Sequence, residues 1–213
     1  LPVRPITVAC VNAGNYLGLG HQYVDALRRA VARYSTRPTR FICLTDDPEN
    51  APKVECIPLP TGLKGWWNKL AMFKPGVLPE GPVVFFDLDT VIVGAIDELL
   101  DYRGAFALLR DLMHPTRYGS GVMAWNNSLS TGLWEAYEAQ GRPDIDGGDQ
   151  AFIQSHLKAD LLQDFVSGIY SYKVHCKNGL PEDARIVCFH GLPRPHMVSD
   201  GWVDACWRKS VCG

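Results

Sequence analysis

Asp87 and Asp89 stand one residue apart inside Val83-Val84-Phe85-Phe86-Asp87-Leu88-Asp89-Thr90-Val91-Ile92-Val93. This Val- and Phe-rich run, entered through Gly81-Pro82, reads as a strand buried on both faces. Side chains alternate along a strand, so the two carboxylates should point the same way. Paired carboxylates at the end of a buried strand repel each other, and a bound divalent cation is the simplest offset. Lys69, on a short helical stretch over 66–74, could reach a phosphate or could be a plain surface lysine. Asp149 could act chemically, or it or Asp146 could cap a helix running from Gln150 to His156. His190 ends an apolar run just before Gly191, which places an imidazole at a strand edge, where it either serves a ligand or satisfies a local hydrogen bond.

The elements that must position these groups follow from hydrophobic period. Strands are expected over 6–11, 40–45, 53–59, 104–109, 122–125 and 185–190, with a strand-like segment over 170–175. Tyr23, Ala26, Leu27, Ala30, Val31 and Tyr34 recur at helical spacing, with Arg28, Arg29 and Arg33 off that stripe. The strand over 6–11 breaks at Asn12-Ala13-Gly14-Asn15-Tyr16 before this helix, the opening of a nucleotide-binding α/β domain. The loop has no GxGxxG, which argues against a dinucleotide fold. Gly119-Ser120-Gly121 before a strand suggests close approach of backbone to a ligand or a neighbouring strand. A helix over 128–140 is expected, capped by Ser128 or Ser130 and closed by Gly141. Trp202 and Trp207 should seal the last turn against the body.

The chain has 213 residues, 46% of them hydrophobic, and a formal net charge of -2. A single domain spanning residues 1–213 is expected, with material for a sizeable core. The charge gives no reason to expect nucleic acid as a partner. No apolar run reaches the roughly 18–20 residues of a membrane span. The chain starts Leu-Pro-Val-Arg-Pro, without an initiator Met or the apolar core of a signal peptide. Seven Cys, without zinc-ligand spacing, read as mostly reduced core thiols of a cytoplasmic protein, although Cys206 and Cys212 could pair.

The order of the motifs is more specific than any one of them. A strand-ending Asp87-Leu88-Asp89, Gly147-Gly148-Asp149-Gln150 about 60 residues later, and His190-Gly191 followed by Arg194 form a set. It resembles the glycogenin-like and lipopolysaccharide galactosyltransferase-like retaining glycosyltransferases, in particular their small bacterial members. The likeness runs from Val8 to His196. It implies an α/β GT-A fold, with a Rossmann-like mixed central sheet flanked by helices. It also implies that Val11, Asn12, Ala13 and Tyr16 hold a nucleotide base, that Lys69 lies by the donor, and that Gly119, Ser120 and Gly121 contact the donor sugar. Asp87, Asp89 and His190 would be the metal ligands, Asp87 also facing the donor, while Gly191 and Arg194 would meet the diphosphate. Asp149 and Gln150 would act at the sugar. Two positions depart from the family pattern: Gly119 stands where Asn is frequent, and Arg194-Pro195-His196 stands for Lys-Pro-Trp. Arg194 still suits a diphosphate through paired donors.

The resemblance implies transfer of a sugar from a nucleotide sugar, a UDP-sugar above all, with retention, to a glycan, lipid or protein acceptor. Negative charge builds on the departing diphosphate, and a divalent ion with Arg or Lys nearby neutralises it. Two carboxylates and an imidazole suit Mn²⁺, with Mg²⁺ as the alternative. Peripheral association with a membrane would be compatible with a glycolipid acceptor. Two rival readings remain. Asp87-Leu88-Asp89-Thr90-Val91 also fits the nucleophile motif of haloacid-dehalogenase-type phosphatases, with Asp87 attacking phosphorus and Asp89 as acid and base. That motif normally lies early in a chain, and it leaves Asp149, Gln150 and His190 without roles. The other rival is a non-catalytic nucleotide-sugar or glycan-binding module.

Overall fold

The computed structural model describes residues 5–50 and 53–208. In chain order it has β1 (Ile6–Asn12), α1 (Gly20–Tyr34), β2 (Thr39–Thr45), β3 (Glu55–Pro58) and a 3-10 helix over Gly65–Phe73. Then follow β4 (Pro82–Phe86), β5 (Thr90–Ile92), α2 (Asp97–Leu100), β6 (Phe106–Arg110), β7 (Tyr118–Asn126), α3 (Leu133–Ala139) and α4 (Gly148–His156). The last elements are β8 (Asp160–Leu161), β9 (Ile169–Ser171), α5 (Tyr172–His175), β10 (Ile186–Cys188) and α6 (Gly201–Val203). Among the described residues, seven strands form a mixed sheet in the order β3-β2-β1-β4-β7-β6-β8, and β5-β10-β9 form a second, smaller sheet.

Strand alternation explains the two layers of core. On β1, Val8 and Cys10 face one cluster and Ala9 the other; on β4, Val84 and Phe86 face the first, Val83 and Phe85 the second. Both faces of the central strands are therefore covered, which is why these segments read as unbroken apolar runs. The α1 stripe of Tyr23, Ala26, Leu27, Ala30 and Val31 packs into the first cluster. Leu70, Ala71, Met72 and Phe73 of the 3-10 helix, with Phe152 and Ile153 of α4, fill the second. Trp207 is buried against α1, with its ring 4.9 Å from that of Tyr23, and Trp202 packs on the same cluster.

Several local expectations change. The run over 83–93 is not one strand: β4 ends at Phe86 in the large sheet, and β5 begins at Thr90 in the small one. The Asp87 N–H donates to the Gly121 carbonyl at 2.8 Å, and the Thr90 N–H donates back to the Asp87 carbonyl at 3.0 Å. These bonds replace the ladder with a turn, so the two carboxylates are aimed by the turn and not by strand alternation. The helix expected over 128–140 is shorter, because Ser130 and Thr131 accept from the backbone N–H groups of Gly132 and Leu133, and left-handed Gly132 starts it. The segment over 170–175 is extended only to Ser171, whose hydroxyl accepts from the Val174 N–H and caps the turn of α5. Neither Asp146 nor Asp149 caps α4; its cap is Gly147, at φ 81, with no side-chain bond. The pairing considered for Cys206 and Cys212 falls on a residue, Cys212, outside the described residues; among the described residues Cys206 has no disulfide partner.

The loop after β1 shows how closely the fold fits around its buried polar groups. Asn12 is fully buried, and its Oδ1 accepts from the Tyr16 N–H at 3.1 Å. Gly20, the first residue of α1, lies so near that a Cβ there would sit 2.3 Å from Asn12 Oδ1. Gly20→Ala is therefore expected to lower stability by about 1–3 kcal/mol in urea unfolding, the cost of overpacking a filled site. An unchanged midpoint would mean that Asn12 is free to move aside.

Candidate active site

A cavity of about 830 Å³ opens where the loop after β1, the 3-10 helix, the β4–β5 turn, β7, α4 and the segment after β10 meet. Two of these, the loop after β1 and the β4–β5 turn, are the carboxyl ends of parallel strands in the large sheet, where open α/β sheets bind ligands. Val11, Ala13, Tyr16, Lys69, Asp87, Asp89, Gly119, Ser120, Gly121, Asp149, Gln150, His190, Gly191 and Arg194 all line it. Asn12 does not. Its side chain is fully buried under the loop, where Oδ1 accepts from the Tyr16 N–H and Nδ2 has no hydrogen-bond partner among the described residues.

Lys69 is no surface lysine. Its side chain is 13% exposed, and its Nζ lies 2.9 Å from Asp87 Oδ1 and 3.5 Å from Asp149 Oδ2. It also donates to the Ser120 hydroxyl at 3.2 Å. The 3-10 helix turns this residue away from its apolar face, since Trp67, Leu70 and Ala71 take the core. Burial disfavours the Lys69 ammonium, but the carboxylates of Asp149 and Asp87 outweigh that and hold its pKa above the ordinary value. Burial pushes Asp87 up from the carboxylate range; Lys69 opposes the rise and Asp149 adds to it.

Asp89, 8% exposed, is held from the other side. Its carbonyl accepts from the Phe189 N–H at 3.1 Å, its carboxylate is ion-paired with Arg194, and the Tyr16 hydroxyl donates to its Oδ2 at 3.3 Å. Arg194 in turn donates to the Phe189 carbonyl and lies 5.6 Å from the Tyr16 ring centroid. Burial, with Asp87 adding and Arg194 opposing, pushes the Tyr16 phenol up to about 12, so Tyr16 is a donor across the neutral range. His190 has its Nε2 within 2.6 Å of the Ser171 hydroxyl. Burial and then Lys173 lower its pKa, which keeps the imidazole neutral at pH 7. Among the described residues, no three His, Cys, Asp or Glu side chains stand close enough to ligate one ion. Asp87 and Asp89 are each countered by a protein cation instead.

Some lining residues belong to none of the sequence motifs. Asp46, in the bend after β2, accepts the Gly14 N–H through both oxygens at 2.9 and 3.0 Å. Asp111 accepts the Met113 and His114 N–H groups at 2.7 Å each, shaping another part of the rim. Both follow β-strands that end at this cavity. An acidic residue closing such a strand is the signal that could have found them.

Asp149 is 5% exposed, and its Oδ2 makes no hydrogen bond, only the 3.5 Å ion pair with Lys69. A buried carboxylate oxygen aimed at a cationic group inside a cavity, with bonding capacity to spare, suits a group awaiting a ligand. The arrangement as a whole offers paired acids, two buried or half-buried cations and a neutral imidazole around one space large enough for a nucleotide.

Comparisons with known proteins bear on the fold that carries this site. No family model matches the chain. Human (Homo sapiens) glycogenin-2 is 35% identical over 75 residues, 35% of this chain and 15% of the relative. Mouse (Mus musculus) glycogenin-1 is 27% identical over 123 residues, 53% of this chain and 36% of the relative. The match thus spans well under half the length of either curated relative. Among solved structures, the glycosyltransferase GlyE of Streptococcus pneumoniae TIGR4 superposes with a TM-score of 0.67 at 12% identity, over 99% of this chain and 61% of GlyE. An active-site mutant of LgtC superposes with a TM-score of 0.58 at 11% identity, over 89% of each chain. What the solved structures share with it is the fold, a mixed central sheet flanked by helices. The chain has the fold of the GT-A glycosyltransferases, and over part of its length its sequence is similar to the glycogenins.

Proposed function

We propose that this chain is a metal-dependent glycosyltransferase that moves a sugar, with retention, from a nucleotide sugar, a UDP-sugar first of all, to an acceptor. The observation that carries the proposal is the convergence of Lys69, Asp87, Asp89, Asp149, His190 and Arg194, from separate parts of the chain, on one cavity. The GT-A fold leaves the phosphatase reading of Asp87 and Asp89 without support. The pairing of Asp149 with Lys69 gives chemistry-bearing residues a shared place that a simple binding module would not need.

Val11, Ala13 and Tyr16 would take the base side of the donor, and Arg194 the diphosphate. Arg194 now pairs with Asp89, so donor binding would exchange a carboxylate for a phosphate at the same guanidinium. The donor types of Asp87, Asp89 and neutral His190 suit Mn²⁺ or Mg²⁺, but the three do not stand together as one ligand group; to hold an ion that counters charge on the diphosphate they would have to release Lys69, Arg194 and Ser171 and converge. Lys69 stays charged beside the departing group and holds Asp149 in place. Asp149 and Gln150 would face the sugar as positive charge develops on its ring. Ser120 and Gly121 would border the same sugar.

The test is UDP binding by calorimetry, with and without Mn²⁺. Asp89→Ala and His190→Ala are expected to lose the Mn²⁺-dependent part, at least about tenfold in affinity, with an unchanged fold by circular dichroism. Unchanged metal dependence in either variant would refute the assignment of the ligands. No described helix is long and apolar enough to cross a membrane, which leaves both glycan and glycolipid acceptors open to assay.

A further inference from the structure

Trp66 and Trp67 are adjacent in sequence and opposite in use. Trp67 is 5% exposed, stacks on Tyr137 with ring centroids 5.1 Å apart, and donates through its indole N–H to Asp144. Trp66 is 56% exposed and lines the cavity. Among the described residues its indole N–H has no hydrogen-bond partner. Burying so large an aromatic surface is strongly favourable, so an indole left open at the mouth of a cavity is a surface with something to cover it.

The backbone is shaped around this ring. Gly147 and Gly148 have φ of 81 and 60, left-handed values that a side chain would strain. A Cβ on Gly148 would lie 2.4 Å from Trp66 Nε1 and 2.8 Å from its Cδ1. The indole is thus seated against the first turn of α4, directly before Asp149 and Gln150. Leu63 and Met113 line the same cavity and add apolar surface, Met113 being 48% exposed, while Lys64 and His114 supply polar atoms.

We propose that Trp66 is the stacking platform of an acceptor subsite whose ligand is a pyranose ring. A pyranose has an apolar C–H face and a rim of hydroxyls. The open indole suits the face; its N–H, Lys64 and His114 suit the rim. A ring stacked on Trp66 would present a hydroxyl toward the sugar held beside Asp149. The subsite therefore deepens the proposed transferase function and rests on it for its role as acceptor site, though not for its affinity for sugar.

The test follows the six indole N–H signals by ¹⁵N NMR, with Trp66 assigned by its loss in Trp66→Phe. The probes are methyl α- and β-glucosides, galactosides and N-acetylglucosaminides, with sorbitol as an open-chain control. At least one pyranoside should shift the Trp66 signal saturably, while sorbitol shifts none. Trp66→Ala should weaken that binding about tenfold, read from Gln150 and Met113 backbone signals, and Trp66→Phe should retain most of it. UDP with Mn²⁺ should raise the melting temperature of wild type and Trp66→Ala alike. If UDP binds but no pyranoside moves Trp66, or if Trp66→Ala binds the sugar as wild type does, the subsite is refuted alone. If a pyranoside binds at Trp66 but UDP does not stabilise the chain, the subsite stands as a sugar site and the transferase reading falls.

Discussion

Lys69→Met is expected to cost about 3 kcal/mol of stability at pH 7, at the low end of the range for removing one partner from a buried ion pair. The low end applies because Asp87 keeps 30% of its side chain exposed, whereas Asp149 keeps 7%. Met preserves most of the volume, so the loss reports charge and not packing. What remains is two carboxylates facing each other without their shared cation. The effect has a pH signature whose sign is set by Asp87. Its folded pKa is already raised, so the folded chain binds more protons than the unfolded chain between the ordinary Asp value near 3.9 and the folded value. Its contribution is therefore full below the unfolded pKa and is lost as pH rises through the folded one. Removing Lys69 raises the folded value further and widens that window upward. Lys69 itself, with a raised pKa, contributes at every pH below its ordinary range and loses that only in strong alkali. Urea unfolding of both proteins at pH 5 and pH 8 should show the smaller deficit at pH 5. A deficit that is small, or equal at both pH values, would mean that the carboxylates find another cation or water.

Asp149→Asn should leave donor binding nearly intact and lower turnover about 10²–10³-fold, the size of effect found when one preorganised electrostatic group is removed from a reaction centre. Asn keeps the shape and removes the charge. Helix α4 should not suffer, since Gly147 caps it without any side-chain bond and Asp149 contributes none. Stability should change little, because the lost attraction to Lys69 is offset by the lost repulsion of Asp87. Nucleotide-sugar turnover, UDP affinity and the melting temperature together decide the matter. A variant that melts far lower and loses UDP binding would show Asp149 to be a structural residue, and a variant with full turnover would remove it from the chemistry.

His190 and Arg194 illustrate how far local reasoning reached. Both end apolar or Pro-rich stretches near the end of the chain, and both line the cavity. Their partners, Ser171 and Asp89, lie far away in sequence, so neither pairing was legible from the residues alone.

The sequence alone determined the layers. Strands β1, β2 and β4 and the stripe of α1 follow from hydrophobic period, because burying a face requires apolar side chains at that spacing whatever packs against it. It also marked the chemical types at the site, since carboxylates and an imidazole beside apolar runs are costly unless used. Tertiary structure alone decided the rest. The break after Phe86 depends on the Gly121 carbonyl claiming the Asp87 N–H, and the burial of Asn12 depends on α1 lying across it. Which of two neighbouring tryptophans enters the core depends on Tyr137 and Asp144, about 70 residues away, and whether Asp149 caps a helix or faces Lys69 depends on two glycines and a distant 3-10 helix. Each of these is a competition among groups distant in the chain, and a hydrogen bond or ion pair is won by what the fold brings near, not by what the sequence places next to it.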